Sequence, residues 1–354
     1  MKHRLQINPL VAEPATRDHD RVHAPPESLP PASATKLHPT NAGGENARLF
    51  FVGTATTILE WEGIRLMTDP NFLHAGDHVH LGPGVTATRQ TNPAVDLHAL
   101  PRIDLVLLSH YHADHFDQHV EASLRRDLPI ITTPHAREHL AVKKPAADAF
   151  TQVYDLDFFE SAVVDVVKPP PDVDDQGKPT TARREPAIKV TGMPGKHVPP
   201  GPLSVANELL GAVPPTNGWM LELGYRTSSP AENDGFECGY RVYISGDTLN
   251  VPELREIPQR YTDAGYPVDL MLVHLGGTTI PGPSMPLLMV TMDAKQGVDL
   301  IRLVRPDVTI PIHYDDYDVF LSPLEDFKKA VEEAGLNDKV VYLDRKDEYN
   351  FRVQ

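Results

Sequence analysis

The sequence predicts an α/β fold in which two sheets lie sandwiched between helical layers, a four-layer αββα sandwich. Three observations carry this. Strand-like runs crowd the first half ahead of its helices, the second half alternates strand and helix, and 40% of the 354 residues are hydrophobic, enough for a large core.

The elements follow in order. Residues 1–46 hold seven of the 35 prolines, few large apolar groups and no periodicity. They are expected to form an extended or disordered arm, with His3, His19 and His23 exposed to solvent. Ordered structure should begin at "ARLFFVGTATTILEWEGIRLMTDPNF" (47–72), three short strands broken by turns at Gly53 and "EWEG". Further strands are expected at 103–109, 129–133, 162–167, 187–193, 218–225, 240–246, 269–275, 307–313 and 339–344. Helical periodicity appears at 119–126, 135–142, 293–304 and 323–334. In the third of these Thr291 can cap, Asp293 sits in the first turn, and Val298, Leu300, Ile301 and Val304 form an apolar stripe. The proline-rich 168–186 should be a surface excursion. Residues 47–354 read as one domain, since layered α/β units often exceed the usual 150 or so residues.

Charge and cysteine content narrow the function. The net charge of −16 repels phosphate backbones and disfavours a nucleic-acid partner. The single cysteine, Cys238, excludes an intrachain disulfide and suits a reducing cytoplasm. Its acidic, glycine-flanked surroundings look like a hairpin loop, with nothing to make a thiolate. No signal-peptide core and no apolar run of transmembrane length is present, so a cytoplasmic location is expected.

The chemistry concentrates in "LLSHYHADHFD" (107–117), where His110, His112, Asp114 and His115 fall within six residues directly after an apolar run. His110 and His112, two apart in extended chain, point the same way, and Asp114 and His115 follow after a turn. That gives two pairs of ligands, enough to begin two adjacent metal sites for Zn²⁺, Mn²⁺ or Fe. Three other strand ends offer more: His197 in "TGMPGKH", Asp247 in "YISGDT" and His313 in "TIPIHYDDY". A lone strand-end histidine usually just packs. Three strand ends together fit a binuclear centre.

These motifs resemble the metallo-β-lactamase-fold hydrolases: "HYHADH" matches the HxHxDH signature, and the remaining motifs arrive in that family's order. "FVGTATTILEWEGIRLMTDP" and "MPGKHVPPGPL" followed by "NGWMLEL" are similar to the branch of L-ascorbate-6-phosphate lactonases and N-acyl-phosphatidylethanolamine phospholipase D. The likeness spans 47 to about 345. It implies the αββα metallo-β-lactamase fold with two divalent metals, chiefly zinc, at one edge. His110, His112 and His197 would bind one metal, Asp114, His115 and His313 the second, with Asp247 bridging. Asp69 in "TDP" would orient a ligand rather than bind metal.

The implied activity is hydrolysis of a small ester, lactone or phosphodiester by a metal-bridging hydroxide. Asp114 or Asp247 could accept a proton, and His274, in "LVHLGGT", or Tyr314 could donate one or touch substrate. His274 could equally be a packed histidine behind the ligands. Ser245 lacks a nucleophile-elbow context and reads as a loop residue. An iron-dependent redox protein on the same fold is the second reading, although the flavin-linked version carries a glutamate where His112 stands. A nuclease is disfavoured by the charge. Specificity would lie in loops 74–98, 198–217 and 276–290.

Overall fold

The computed structural model describes residues 1–11, 13–19, 24–82, 85–169, 184–199, 201, 207, 213–227, 235–280 and 288–354. Most of the 168–186 excursion and parts of the loops 198–217 and 276–290 lie outside these residues.

Two sheets face each other. The seven-stranded sheet runs His3–Ile7, Ser161–Val166, Pro186–Met193, Gly218–Arg226, Phe236–Ile244, Leu270–His274 and Val308–Ile312. The eight-stranded sheet runs Val153–Asp155, Ile130–Thr132, Leu105–Leu107, Ile64–Thr68, Thr56–Trp61, Ala47–Gly53, Glu348–Phe351 and Thr35–Lys36. Side-chain alternation sorts the core. Leu49, Phe51, Leu59 and Leu66 pack between the sheets with Ile188, Leu221, Val242 and Ile310. Phe50, Ile58 and Met67 face the other way, onto Val120 and Leu140 of the helices Gln118–Ser123 and Pro134–Ala141. On the far side Met220, Tyr243 and Met271 meet Val298, Ile301, Phe327 and Val331 of the helices Ala294–Val304 and Leu324–Glu333. The layers are therefore helix, sheet, sheet, helix.

Strand direction gathers the loops that matter. Phe236–Ile244, Leu270–His274 and Val308–Ile312 are mutually parallel. Pro186–Met193 runs the same way after two antiparallel steps. In the other sheet Ile64–Thr68, Leu105–Leu107 and Ile130–Thr132 are parallel. The segments after residues 68, 107, 193, 244 and 312 carry Asp69, His110, His197, Asp247 and His313. All five meet at one edge of the sandwich.

Several expectations need correction. The described part of residues 1–46 packs on the domain: His3–Ile7 pairs in parallel with Ser161–Val166, and Leu5 and Ile7 are buried in the inter-sheet core. His3 is half-buried, its Nε2 2.9 Å from the Asp155 carbonyl. Cys238 lies within the strand Phe236–Ile244, not in a hairpin loop, and burial pushes its thiol up to about 12. Asp293, not Thr291, caps its helix, accepting from the Gln296 N–H at 2.9 Å, while the Thr291 hydroxyl accepts from Thr278 N–H. The expected strand 339–344 only brushes the sheet edge, through the Val341 N–H on the Thr309 carbonyl. It follows directly on a short 3₁₀ turn, Asn337–Lys339.

Candidate metal centre

The loop after Leu105–Leu107 is built to stay in place. Asp69 holds its start, accepting the Ser109 N–H at 2.7 Å. Asp117 closes it by capping the helix Gln118–Ser123 and accepting the Phe72 N–H at 2.6 Å. Between these anchors His115 N–H and Phe116 N–H both return to the His112 carbonyl, turning His110, His112, Asp114 and His115 inward. Asp247 arrives on a turn that requires glycine: Gly246 has φ +61°, and a Cβ there would lie 2.3 Å from the Asn217 carbonyl.

Every residue expected as a ligand comes to this one place. Asp114, His115, Asp247 and His313 bring ligand atoms within 4.8 Å of one another, as do His110, His197 and Asp247, and His110, His112 and Asp114. Asp247 belongs to two of these groups. His110 Nε2 and His197 Nε2 are 3.0 Å apart, close to the roughly 3.3 Å separating two nitrogens that share a tetrahedral zinc at 2.0–2.1 Å. His115 Nε2 lies 3.1 Å from Asp247 Oδ2, and His313 Nε2 lies 3.7 Å from Asp114 Oδ2.

Outer contacts fix which nitrogen faces inward. His197 Nδ1 donates to the Val290 carbonyl at 2.9 Å and His313 Nδ1 to the Leu275 carbonyl at 3.1 Å. His115 Nδ1 lies 3.2 Å from Asp69 Oδ2. A neutral imidazole with Nδ1–H spoken for presents a lone pair at Nε2. Of these inward atoms His112 Nε2, His313 Nε2 and Asp247 Oδ1 are buried without a hydrogen-bond partner among the described residues, while His115 Nε2 faces Asp247 Oδ2 and Asp114 Oδ1 lies 2.9 Å from His112 Nδ1. Buried polar atoms rarely go unpaired, so a cluster of such donors fits a cation.

The charge states divide the imidazoles into two sets. Burial, reinforced by the neighbouring His115 and His197, pushes His110 well below the usual imidazole range, and burial takes His197 to about 4. Both are neutral and available as ligands. Burial would raise Asp114 and Asp247, but the surrounding imidazoles outweigh it and hold both well below the carboxylate range. His115 and His313 go the other way: burial would lower both, but Asp247, Asp114 and Asp69 raise His115 well above the imidazole range, and Asp247 and Asp114 raise His313.

His112, Asp114, His197 and Asp247 line a small cavity of about 20 Å³, roofed by Leu81, Val85, Val213 and Val290 with Thr278 and Thr279. A recess of about 620 Å³ lies on the other side of His197 and Val213. His274 does not line this cavity. Its ring is fully buried, stacked on His115, with Nδ1 3.3 Å from Ser245 Oγ and Nε2 3.7 Å from Asp69 Oδ2. Of the two roles open to it, the geometry matches the packed histidine behind His115. Tyr314 likewise turns into the core, its hydroxyl donating to the Leu343 carbonyl. Asn71 and Asp316, which carry no motif of their own, contact the backbone around this centre, and Arg89 reaches it through the Thr54 hydroxyl.

The family described as "Beta-lactamase superfamily domain" matches residues 65–314. The chain belongs to that superfamily. A UPF0173 metal-dependent hydrolase of Salinibacter ruber is 25% identical over 300 residues, covering 82% of this chain and 95% of that protein. A possible metal-dependent hydrolase from Veillonella parvula superposes with a TM-score of 0.61 at 16% identity, over 87% of this chain and all of the other. An isothiocyanate hydrolase from Delia radicum gut bacteria gives 0.58 at 16%, over 85% and 98%. At such identities the solved structures speak for the fold. The coarse activity that goes with the superfamily match is that of a metal-dependent hydrolase.

Proposed function

We propose that the protein is a binuclear hydrolase of a small ester or lactone, with two divalent cations, zinc foremost. His110, His112 and His197 would hold one, Asp114, His115 and His313 the other, with Asp247 shared. The observation that carries this reading is the pair of buried donor groups meeting at Asp247, with His112 Nε2, His313 Nε2 and Asp247 Oδ1 left without a hydrogen-bond partner among the described residues. Two such cations supply Lewis acidity and bring the pKa of water toward neutrality.

The chain's own groups account for the rest. Asp114 is ionised and lines the cavity, so its free oxygen can accept a hydrogen bond from the attacking water and orient it. Thr278 and Thr279 bring buried hydroxyls without partners among the described residues to the same wall, where they can hold a polar atom of the substrate. Among the described residues the inner cavity has no lysine or arginine, and Leu81, Val85, Val213 and Val290 give it an apolar roof. That lining suits an uncharged acyl group better than a phosphodiester, whose charge would have only the metals to answer it. A cavity of about 20 Å³ takes about one water, so the body of the substrate must reach past Val213 toward the larger recess or displace the roof.

A panel of chromogenic esters, lactones and phosphodiesters tests the reading. Hydrolysis should vanish on chelation and return with zinc or manganese. Full hydrolysis after chelation, or oxygen consumption with bound iron as the only activity, would overturn it in favour of a redox protein on the same fold.

A further inference from the structure

Arg89 is fully buried, and a guanidinium in a protein interior persists only where its surroundings answer it. Its Nε donates to the Thr91 carbonyl at 2.9 Å. Its Nη1 donates to Thr54 Oγ1 at 3.0 Å and to Asn71 Oδ1 at 3.2 Å, and its Nη2 lies 3.2 Å from Asp316 Oδ1. Three of these four partners lead onward to the metal centre.

Asn71 passes the contact to one ligand. Its Nδ2 donates to the Asp114 carbonyl at 2.9 Å and to the Tyr317 hydroxyl at 2.7 Å. Thr54 and Asp316 pass it to another. The Thr54 N–H donates to Asp316 Oδ2 at 2.7 Å, and the Thr54 carbonyl accepts the His313 N–H at 2.9 Å. Both residues of that last bond are strained. Thr54 has φ +50° and His313 φ +62°, the left-handed region that non-glycine residues keep only when the surroundings hold them there.

The other half of the centre is fixed by different groups. His197 hangs on the Val290 carbonyl, Lys196 N–H donates to Thr248 Oγ1, and His110 Nδ1 sits 2.9 Å from Ser109 Oγ. None of these contacts involves Arg89, Asn71 or Asp316. We propose that Arg89, Asn71 and Asp316 form a positioning network for the Asp114–His313 half of the centre alone, leaving the His110–His197 half independent of it. The proposal rests on the two-metal reading above.

Zinc titration of metal-free protein against a competing chelator tests it, in wild type and in Arg89→Met, with cobalt absorption to report which ligands remain. Asp316 keeps Arg345 as a partner in this variant, at 3.2 Å from the Arg345 Nε. The expected result is one equivalent bound as in wild type and the second weakened by about 10–100-fold, the usual effect of losing groups that orient ligands. Asn71→Ala, which removes no charge, should show the same selective loss and serves if Arg89→Met does not fold. Equal weakening of both equivalents, or no weakening of either, would overturn the proposal. Wild-type protein that takes up only one metal would overturn the two-metal reading itself, and is seen before any variant is made.

Discussion

Two pairs of imidazoles in this molecule approach almost equally closely. His110 and His197 meet Nε2 to Nε2 at 3.0 Å, and His135 and His139, one turn apart on the helix Pro134–Ala141, meet at 3.1 Å. The first pair is buried, shares Asp247 as a third ligand-type group, and has its outer nitrogens tied to Ser109 and Val290. The second belongs to no group of three or more ligand-type residues among those described; His139 is exposed and stacks flat on Tyr111, with ring centroids 4.9 Å apart. Proximity of histidines is common. What distinguishes the metal-centre candidate is burial together with carboxylates and fixed outer nitrogens.

The largest test of that contrast removes a shared element. Asp247→Ala should abolish hydrolysis and strip both metals, measured by metal analysis and turnover, because both donor groups lose their common member. Asp69→Asn asks less: the ligand stays but its anchor weakens. His115 Nδ1 lies 3.2 Å from Asp69 Oδ2, and metal affinity should fall about 10–100-fold in a chelator competition.

The next effect is one of protons. His115 is raised because the pull of Asp247, Asp114 and Asp69 exceeds the cost of burying its charge, so in metal-free protein at neutral pH it holds a proton that a cation must expel. His313 is raised as well, by Asp247 and Asp114, so metal uptake near pH 7 should release protons from both rings, and affinity should weaken as pH falls. Calorimetry in buffers of different ionisation enthalpy reads this directly. The same sign governs the metal-free fold: the contribution of His115 is complete below its unfolded value of 6.5 and is lost as pH rises through the raised folded one. The smallest effect belongs to the other pair, where His139→Ala should leave zinc content and turnover unchanged.

Legibility of the sequence tracks the same physics. The convergence of the candidate ligands could be read because each is a chemically unusual residue at the end of an apolar strand, and strand ends in a layered fold converge on one edge. His274 has the same credentials, "LMLVH" running into a loop, yet it faces the back of His115. Nothing in a single strand distinguishes a ring in front of the metals from one behind them. Arg89, Asn71 and Asp316 were invisible for a related reason, because their role exists only across separations such as the 246 residues from Asn71 to Tyr317. The strand His3–Ile7 was obscured by the prolines around it, although its alternation places Leu5 and Ile7 inward and Arg4 and Gln6 outward. Deleting residues 1–11 should therefore lower the melting temperature while leaving metal content intact, since no residue of that segment belongs to the ligand groups.

The most direct test is the metal stoichiometry of the wild-type chain, measured by elemental analysis after stripping and reconstitution with zinc. Two equivalents per chain, lost together in Asp247→Ala and retained in His139→Ala, are expected. Zero equivalents, or a content set by His135 and His139 instead, would contradict the account.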